Sequence, residues 1–341
     1  MDRTDSRPSR LPRIIAGAVA LVLVAGLGVV IVARAQQWGP FAPDPQRHNP
    51  LAERPQFAEP GNTAEQAAQQ AAAAGDSASA ELFGRLAQVP QGIWLTPEEF
   101  PAGQVGDHVR GLAEAADEAG DVPVLVVYGI PDRDCTGGFS AGGLAADEYG
   151  PWVGEIAEAA GSGDSAVVVL EPDALASAID CDSRAERVEL LADAVDRLRD
   201  AGVTTYVDGG HSSWISPADL APLLEEVGIA DVRGFATNVS NFQTDEDEVA
   251  YAESLVELLG GDVHYVIDRS RNGNGASGEE WCNPPGRAFG ITPGYVDDDT
   301  RLDAYLWVKP PGESDGECNG GPAAGTFWPA RATELARAAD W

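Results

Sequence analysis

With 341 residues, 44% of them hydrophobic, the chain has room for one large domain or two ordinary ones and can bury a sizeable core. Its formal charge of −33 argues against nucleic acid as a partner, because a phosphate-binding surface must be basic, and equally disfavours an anionic lipid surface. A neutral substrate suits such a chain, although net charge speaks to solubility before it speaks to partners.

Arg3, Arg7, Arg10 and Arg13 make residues 1–13 a basic segment expected on the cytoplasmic side. An uncharged apolar run from Ile14 to Ala33 follows, long enough to span a bilayer. Residues 14–35 therefore read as a transmembrane signal-anchor or, given the small-x-small pattern Ala33-Arg34-Ala35, as a cleaved signal peptide. An anchor is preferred, and in either case the rest of the chain lies outside the cytoplasm. Residues 36–48, with Pro40, Pro43 and Pro45, form a semi-rigid linker. The folded domain is assigned to 49–341. Within it the Ala/Gln run Ala64–Ala74 is helical, and Gly75-Asp76 ends it.

From Pro123 onward, short β-branched runs alternate with longer amphipathic stretches. The strands expected are Val124–Tyr128, Ala166–Glu171, Thr204–Asp208, Val232–Thr237, Val263–Asp268 and Ala304–Lys309. Helical patterns lie between them, among them Ser183–Ala201, Pro217–Val227 and Glu246–Leu259. This alternation implies parallel pairing in an α/β architecture, and runs as apolar as Ala166–Leu170 suit strands buried on both faces.

The strand ends carry the chemistry. Asp134 follows the first run, Glu171-Pro172-Asp173 the second, Asp208 ends the third, Asp268 the fifth, and Lys309, Glu313 and Asp315 follow the sixth. Barrel enzymes place their active sites at the C-terminal ends of the strands. Several carboxylates around one cleft can be driven to different pKa values, one staying protonated as a general acid. That is the equipment of glycoside hydrolysis. Trp94, Trp214 and Trp281 sit in loop contexts where their flat faces could stack on sugar rings.

Cys135, Cys181, Cys282 and Cys318 make an even count suited to an oxidising compartment. They allow three pairings, of which Cys135–Cys181 with Cys282–Cys318 is preferred. No CxxC pair, HExxH, GxSxG elbow or Walker A loop is present, and the histidines His48, His108, His211 and His264 are not spaced as metal ligands. No metal and no cofactor are expected.

Together, Val89–Trp94, Val126–Tyr128 with Arg133-Asp134-Cys135, Ser140–Gly143, Leu170–Asp173, Asp208–His211, Thr237-Asn238, Ser270–Gly275, Trp281-Cys282 and Trp307–Glu313 with Asp315-Gly316 resemble glycoside hydrolase family 6. That family comprises inverting β-1,4-glucanases and cellobiohydrolases. The resemblance implies a distorted TIM-like barrel of about seven parallel strands. It makes Asp173 the general acid, Asp134 the residue that raises its pKa and organises water, and Asp315 the candidate base. It also implies that Ser140 holds the water chain and that Tyr128 presses on the distorted sugar. Trp94, Trp281, Lys309 and Glu313 become glycone-side contacts; His211 and Trp214 become leaving-group-side contacts. Asp208 and Asn238 are further substrate-binding positions, and the two disulfides pin the loops carrying Asp134 and Asp315.

Gly129 departs from the family pattern, which commonly has Asn or Asp there, as do Gly209 and Arg269, the last with a possible effect on a subsite. Cys282 and Cys318 lie close in sequence, and the loop carrying Asp315 has no insertion. The reading is a monomeric endo-acting β-1,4-glucanase with an open cleft. The alternatives are an exo-acting cellobiohydrolase, another β-glycanase specificity, or a non-catalytic surface glycan-binding protein.

Overall fold

Valine-rich runs of four or five residues are too short for helices and too apolar for edges, and they form the centre of a curled sheet. The computed structural model describes residues 44–135, 138 and 140–341. The basic segment 1–13, the apolar span 14–35 and most of the linker therefore lie outside the described residues. Among the described residues no helix is long and apolar enough to cross a membrane.

The strands are β1 (Ile93–Leu95), β2 (Val124–Val127), β3 (Val167–Leu170), β4 (Thr204–Asp208), β5 (Gly234–Thr237), β6 (His264–Asp268), β7 (Gly294–Tyr295) and β8 (Leu302–Leu306). They lie in the order β1-β2-β3-β4-β5-β6-β8-β7, every pairing parallel except the antiparallel β7–β8 contact. Seven strands thus form the parallel part of a distorted α/β barrel. Residues alternate between its two sides as the strand period requires. Val124, Val126, Val167, Val169 and Tyr206 share an inner apolar cluster, while Leu125, Val127, Val168, Leu170 and Val207 join an outer one that packs on helices. Burying one such side chain contributes about 1.5–3 kcal/mol.

The seam between β1 and β8 is bridged without a ladder. Gly92 donates its amide to the Trp307 carbonyl at 2.8 Å, and Trp94 Nε1 donates to the Val308 carbonyl at 2.9 Å. A Cβ on residue 92 would stand 2.3 Å from the Val308 oxygen, so only glycine allows this approach.

The outer layer holds α1 (Thr63–Ala73), α2 (Ser77–Leu86), α3 (Val105–Ala119), α4 (Ala146–Ala160), the short α5 (Ala174–Ser177), α6 (Arg184–Asp200), α7 (Pro217–Glu226), α8 (Asp245–Leu259) and α9 (Pro329–Ala338). Caps set their starts: Thr244 Oγ1 accepts from the Asp247 amide at 3.2 Å, and four acids, Asp245–Glu248, occupy the first turn of α8 against the positive end of its dipole.

Two expectations are corrected in detail. The strand expected at Ala304–Lys309 runs instead from Leu302 to Leu306. Asp303 is tolerated inside it because Arg233 clamps its carboxylate with two 2.7 Å hydrogen bonds, while the amides of Val308 and Lys309 turn to the Asp268 carboxylate. The strand expected at Val232–Thr237 begins at Gly234, because a 3-10 turn, Ile229–Asp231, precedes it. Pro45–Arg47, assigned to the linker from the sequence, is held against the barrel. It is a 3-10 turn whose buried Gln46 donates to the Val203 carbonyl and accepts from the Thr205 and Arg233 amides. Those three groups tie the segment to the base of β4 and β5.

Candidate active site

Seven parallel strands deliver their C-terminal ends to one side of the sheet, and a cleft of about 370 Å³ opens there. Trp94 and Tyr128 line it from β1 and β2, Asp134 and Ser140 from the loop after β2, and Asp173 from the turn after β3. His211 and Trp214 come from the loop after β4, Trp281 from beyond β6, and Lys309 and Asp315 from beyond β8.

Asp173 sits at the floor. The turn Glu171-Pro172-Asp173 passes through left-handed backbone at both acids (φ 49° and 70°), a conformation the surroundings must hold in place. They do so from two sides. The buried Glu171 carboxylate accepts the Gly129 amide at 2.9 and 3.1 Å, and the Asp173 amide donates to Asp208 Oδ2 at 2.9 Å. A side chain at 129 would collide with Trp152, its Cβ falling 2.6 Å from the ring, so glycine is required there. Burial, with the charges of Asp134 and Asp315 added, pushes the Asp173 carboxyl up to about 7. Asp208 lies behind it, outside the cleft lining. Its Oδ2 also accepts the Gly210 amide at 3.0 Å, and burial beside Asp173 holds its carboxyl well above the usual range.

Asp134 accepts the backbone amide of Ser140, at 2.5 Å, so Ser140 meets it through the main chain. Gly138 packs on the same carboxylate, where a Cβ would fall 2.4 Å from Oδ2. Next to it, Arg133 is buried beneath Tyr128. Its guanidinium donates to the Tyr128 carbonyl at 2.6 Å, pairs with Glu98 at 2.8 Å and stacks 4.6 Å from the Tyr128 ring. Disulfides join Cys135 to Cys181 and Cys282 to Cys318, as preferred from the sequence.

Asp315 is held differently. Arg271 Nη1 donates to its Oδ1 at 2.7 Å and the Asn283 amide to its Oδ2 at 2.9 Å, with both members of the ion pair almost wholly buried. Arg271 was not singled out from the sequence. The available signal was a second arginine, after Arg269, in a run where Asp268 is the one nearby acid.

The aromatic surfaces differ in exposure. Trp214 and Trp281 are 39% and 45% exposed, whereas Trp94 is fixed edge-to-face on Tyr128 with Lys309 Nζ 5.3 Å over its ring. His211, whose Nδ1 accepts the Ser213 amide at 3.3 Å, is pulled down to about 4 by burial and is neutral near pH 7. Lys309 pairs with Glu313 at 3.4 Å, and Glu313 also accepts from Thr63 Oγ1 at 3.1 Å behind the cleft wall.

Asn238, expected to bind substrate, is fully buried and outside the lining. Its side chain donates to the Gln243 and Asp268 carbonyls and accepts the Gln243 amide, so it builds the loop after β5. Asp268 likewise accepts four backbone amides, those of Ser240, Ser270, Val308 and Lys309. Arg269 lies against Tyr305 and pairs with Asp245, outside the cleft lining. Ser177, Ser240 and Gln243 line the cleft without having been marked in the sequence. Among the described residues no group of three His, Cys, Asp or Glu could hold a metal ion.

The family model for glycosyl hydrolases family 6 matches residues 51–339. Endoglucanase A of Cellulomonas fimi is 48% identical over 255 residues, covering 73% of this chain and 56% of that protein. Endoglucanase A of Thermobispora bispora is 38% identical over 336 residues, covering 96% of this chain and 70% of that protein. Among solved structures, the endoglucanase Cel6 of Mycobacterium tuberculosis, in complex with methyl-cellobiosyl-4-deoxy-4-thio-β-D-cellobioside, superposes with a TM-score of 0.80 at 43% identity. That match covers 86% of this chain and all of the other.

Proposed function

The chain belongs to glycosyl hydrolases family 6, and from that premise we propose that it is an inverting endoglucanase cutting internal β-1,4-glucosidic bonds, with Asp173 as its general acid. The observation that supports this best is a carboxyl pushed up to about 7 on the floor of a cleft, flanked by two more carboxylates. Near neutrality Asp173 keeps a proton to give. In the proposed step that proton passes to the glycosidic oxygen as the bond from C1 to that oxygen breaks. A water attacks C1 from the opposite face and releases its own proton towards Asp315, through solvent organised at Asp134 and Ser140. Each Asp315 oxygen already accepts one donor, so the water uses a remaining lone pair. Trp94, Trp281 and Lys309 form the glycone side and Trp214 and His211 the leaving-group side, with Tyr128 against the distorted sugar. Asp208 and Glu313 support the site from behind its wall.

Endo action is favoured by relatives named endoglucanase at 38–48% identity, against 33% for a relative named as a probable exoglucanase. A neutral glucan chain suits the acidic protein. The arginine-flanked apolar run of the first 35 residues supports placement outside the cytoplasm, tethered by that segment or released from it.

Three measurements test the reading. The first product should be α-configured by NMR; a β-configured product sinks inversion. Asp173→Ala should lose most activity on glucan, about 10²-fold or more, but much less on an aryl cellobioside whose leaving group needs no proton. If Asp173→Ala hydrolyses glucan at the wild-type rate, the assignment fails, and if wild type binds cello-oligosaccharide without cleaving it, the chain is a glycan-binding protein. A rapid drop in carboxymethylcellulose viscosity ahead of reducing-end release marks endo action; the opposite order marks exo action.

A further inference from the structure

The first helix to follow the Asp173 turn at length, α6, carries an arginine where its inward face calls for an apolar residue. Arg187 is only 2% exposed. Its Nη2 donates to the Asp132 carbonyl at 2.6 Å and to that of Pro131 at 3.4 Å. Its Nη1 reaches the Ala174 carbonyl at 3.4 Å and Ser177 Oγ at 3.3 Å. One guanidinium therefore holds two pieces of backbone: the loop two residues before Asp134, and the short helix that Asp173 opens. Ser177, held by Arg187, in turn donates to the Asp173 carbonyl at 2.7 Å.

Both pieces need holding. Asp132 and Asp173 each occupy left-handed backbone, with φ of 50° and 70°. The disulfide Cys135–Cys181, with Cα atoms 6.0 Å apart, ties the same loop to the segment after α5, one residue beyond Asp134. Arg187 on one side and the disulfide on the other thus bracket Asp134. A methionine could fill the same volume but could not donate to four oxygens on two segments, which is what the guanidinium fork supplies.

We propose that Arg187 is a positioning residue that sets the separation of Asp134 from Asp173, and through it the proton affinity of the acid. The inference rests on the assignment of Asp173 as the acid. The groups facing Asp173 are Asp134 and Tyr128 from the β2 end, Asp208 from β4 and Asp315 from beyond β8, with Glu171 on its own turn. Of these, Asp134 is on the segment that Arg187 holds. If the loop relaxes away from Asp173, a like charge recedes and the carboxyl gives up its proton at lower pH.

The test compares Arg187→Met and Arg187→Lys with wild type in kcat/KM pH profiles on cellohexaose. Arg187→Met should move the alkaline limb down by about half a pH unit or more and lower kcat about tenfold, with KM changed less than about twofold. Arg187→Lys, which keeps the charge and some donors, should fall between the two. Native tryptophan fluorescence establishes folding, and if the Met variant does not fold, the Lys variant carries the test. An alkaline limb at the wild-type pH in the folded variants, whatever the loss in rate, overturns the proposal. Asp173→Ala run alongside separates the two readings: if it keeps its glucan activity the acid assignment falls, whereas an unmoved limb with inactive Asp173→Ala removes only the role of Arg187.

Discussion

Replacing Asp134 by Asn removes one negative charge from the neighbourhood of Asp173 while leaving an oxygen to accept the Ser140 amide, so the loop keeps its hydrogen bond. The acid stands at about 7 against an ordinary 3.8, a rise of about 3 pH units or roughly 4 kcal/mol. Burial is the largest of its three causes and Asp134 the second, ahead of Asp315. Asp134 therefore accounts for less than half of the rise. The sign follows from the role: Asp173 works only while protonated, so activity falls as pH rises through its pKa. With Asp134 neutralised, that fall should begin at lower pH than in wild type. The assay is kcat/KM for cellohexaose between pH 5 and 9, with an aryl cellobioside as control, whose rate should depend far less on the acid. An alkaline limb that stays in place or moves up would refute both the electrostatic account and the pairing of these two aspartates.

Two further outcomes follow from buried charges. Asp315→Ala strands the Arg271 guanidinium without its counter-ion and should lower stability by about 3–5 kcal/mol in urea titration, a cost that adding Arg271→Met should partly relieve; equal urea midpoints for Asp315→Ala and wild type would count against the ion pair. Glu171, Asp173 and Glu248 are each raised to about 7 by burial, so between about pH 4.5 and 7 the folded chain binds more protons than the unfolded one. Their contribution is present at mildly acidic pH and lost as pH rises through 7, so the urea midpoint should decline from pH 5 to pH 8; a midpoint that rises over that interval contradicts the buried protonated carboxyls.

The parallel architecture was legible because buried strands need continuous apolar runs and helices need longer periodic ones. Where those signals thinned, boundaries slipped. β1 has three residues and β7 two, too few for a pattern, and Asp303 disguised the start of β8 until its partners Arg233 and Tyr206 were in view. The cleft was legible for a related reason. Parallel strands bring their C-terminal ends to one face, so acids at those ends are brought together wherever they fall in sequence. Asn238 lies outside the cleft lining, and a polar residue at a strand end reads the same from sequence whether it faces a ligand or closes a loop.

Composition and spacing alone could not separate the roles of chemically identical aspartates, which only the family resemblance distinguished, and the donors around each carboxylate explain the division. Asp268 accepts four backbone amides and serves as a joint between strand ends. Asp315 has a guanidinium on one oxygen and an amide on the other. Asp134 accepts the Ser140 amide and otherwise faces the cleft. Among the described residues no donor reaches the Asp173 carboxyl at all; its own amide is spent on Asp208. Burial raises the Asp268 carboxyl too, but there the accepted amides oppose the rise, whereas at Asp173 no donor opposes it. A proton is thus kept at the one strand-end aspartate in the cleft that nothing else holds. The donors that decide this are mainly backbone amides and an arginine in loops, several of them brought from beyond neighbouring strands by the curl of the sheet.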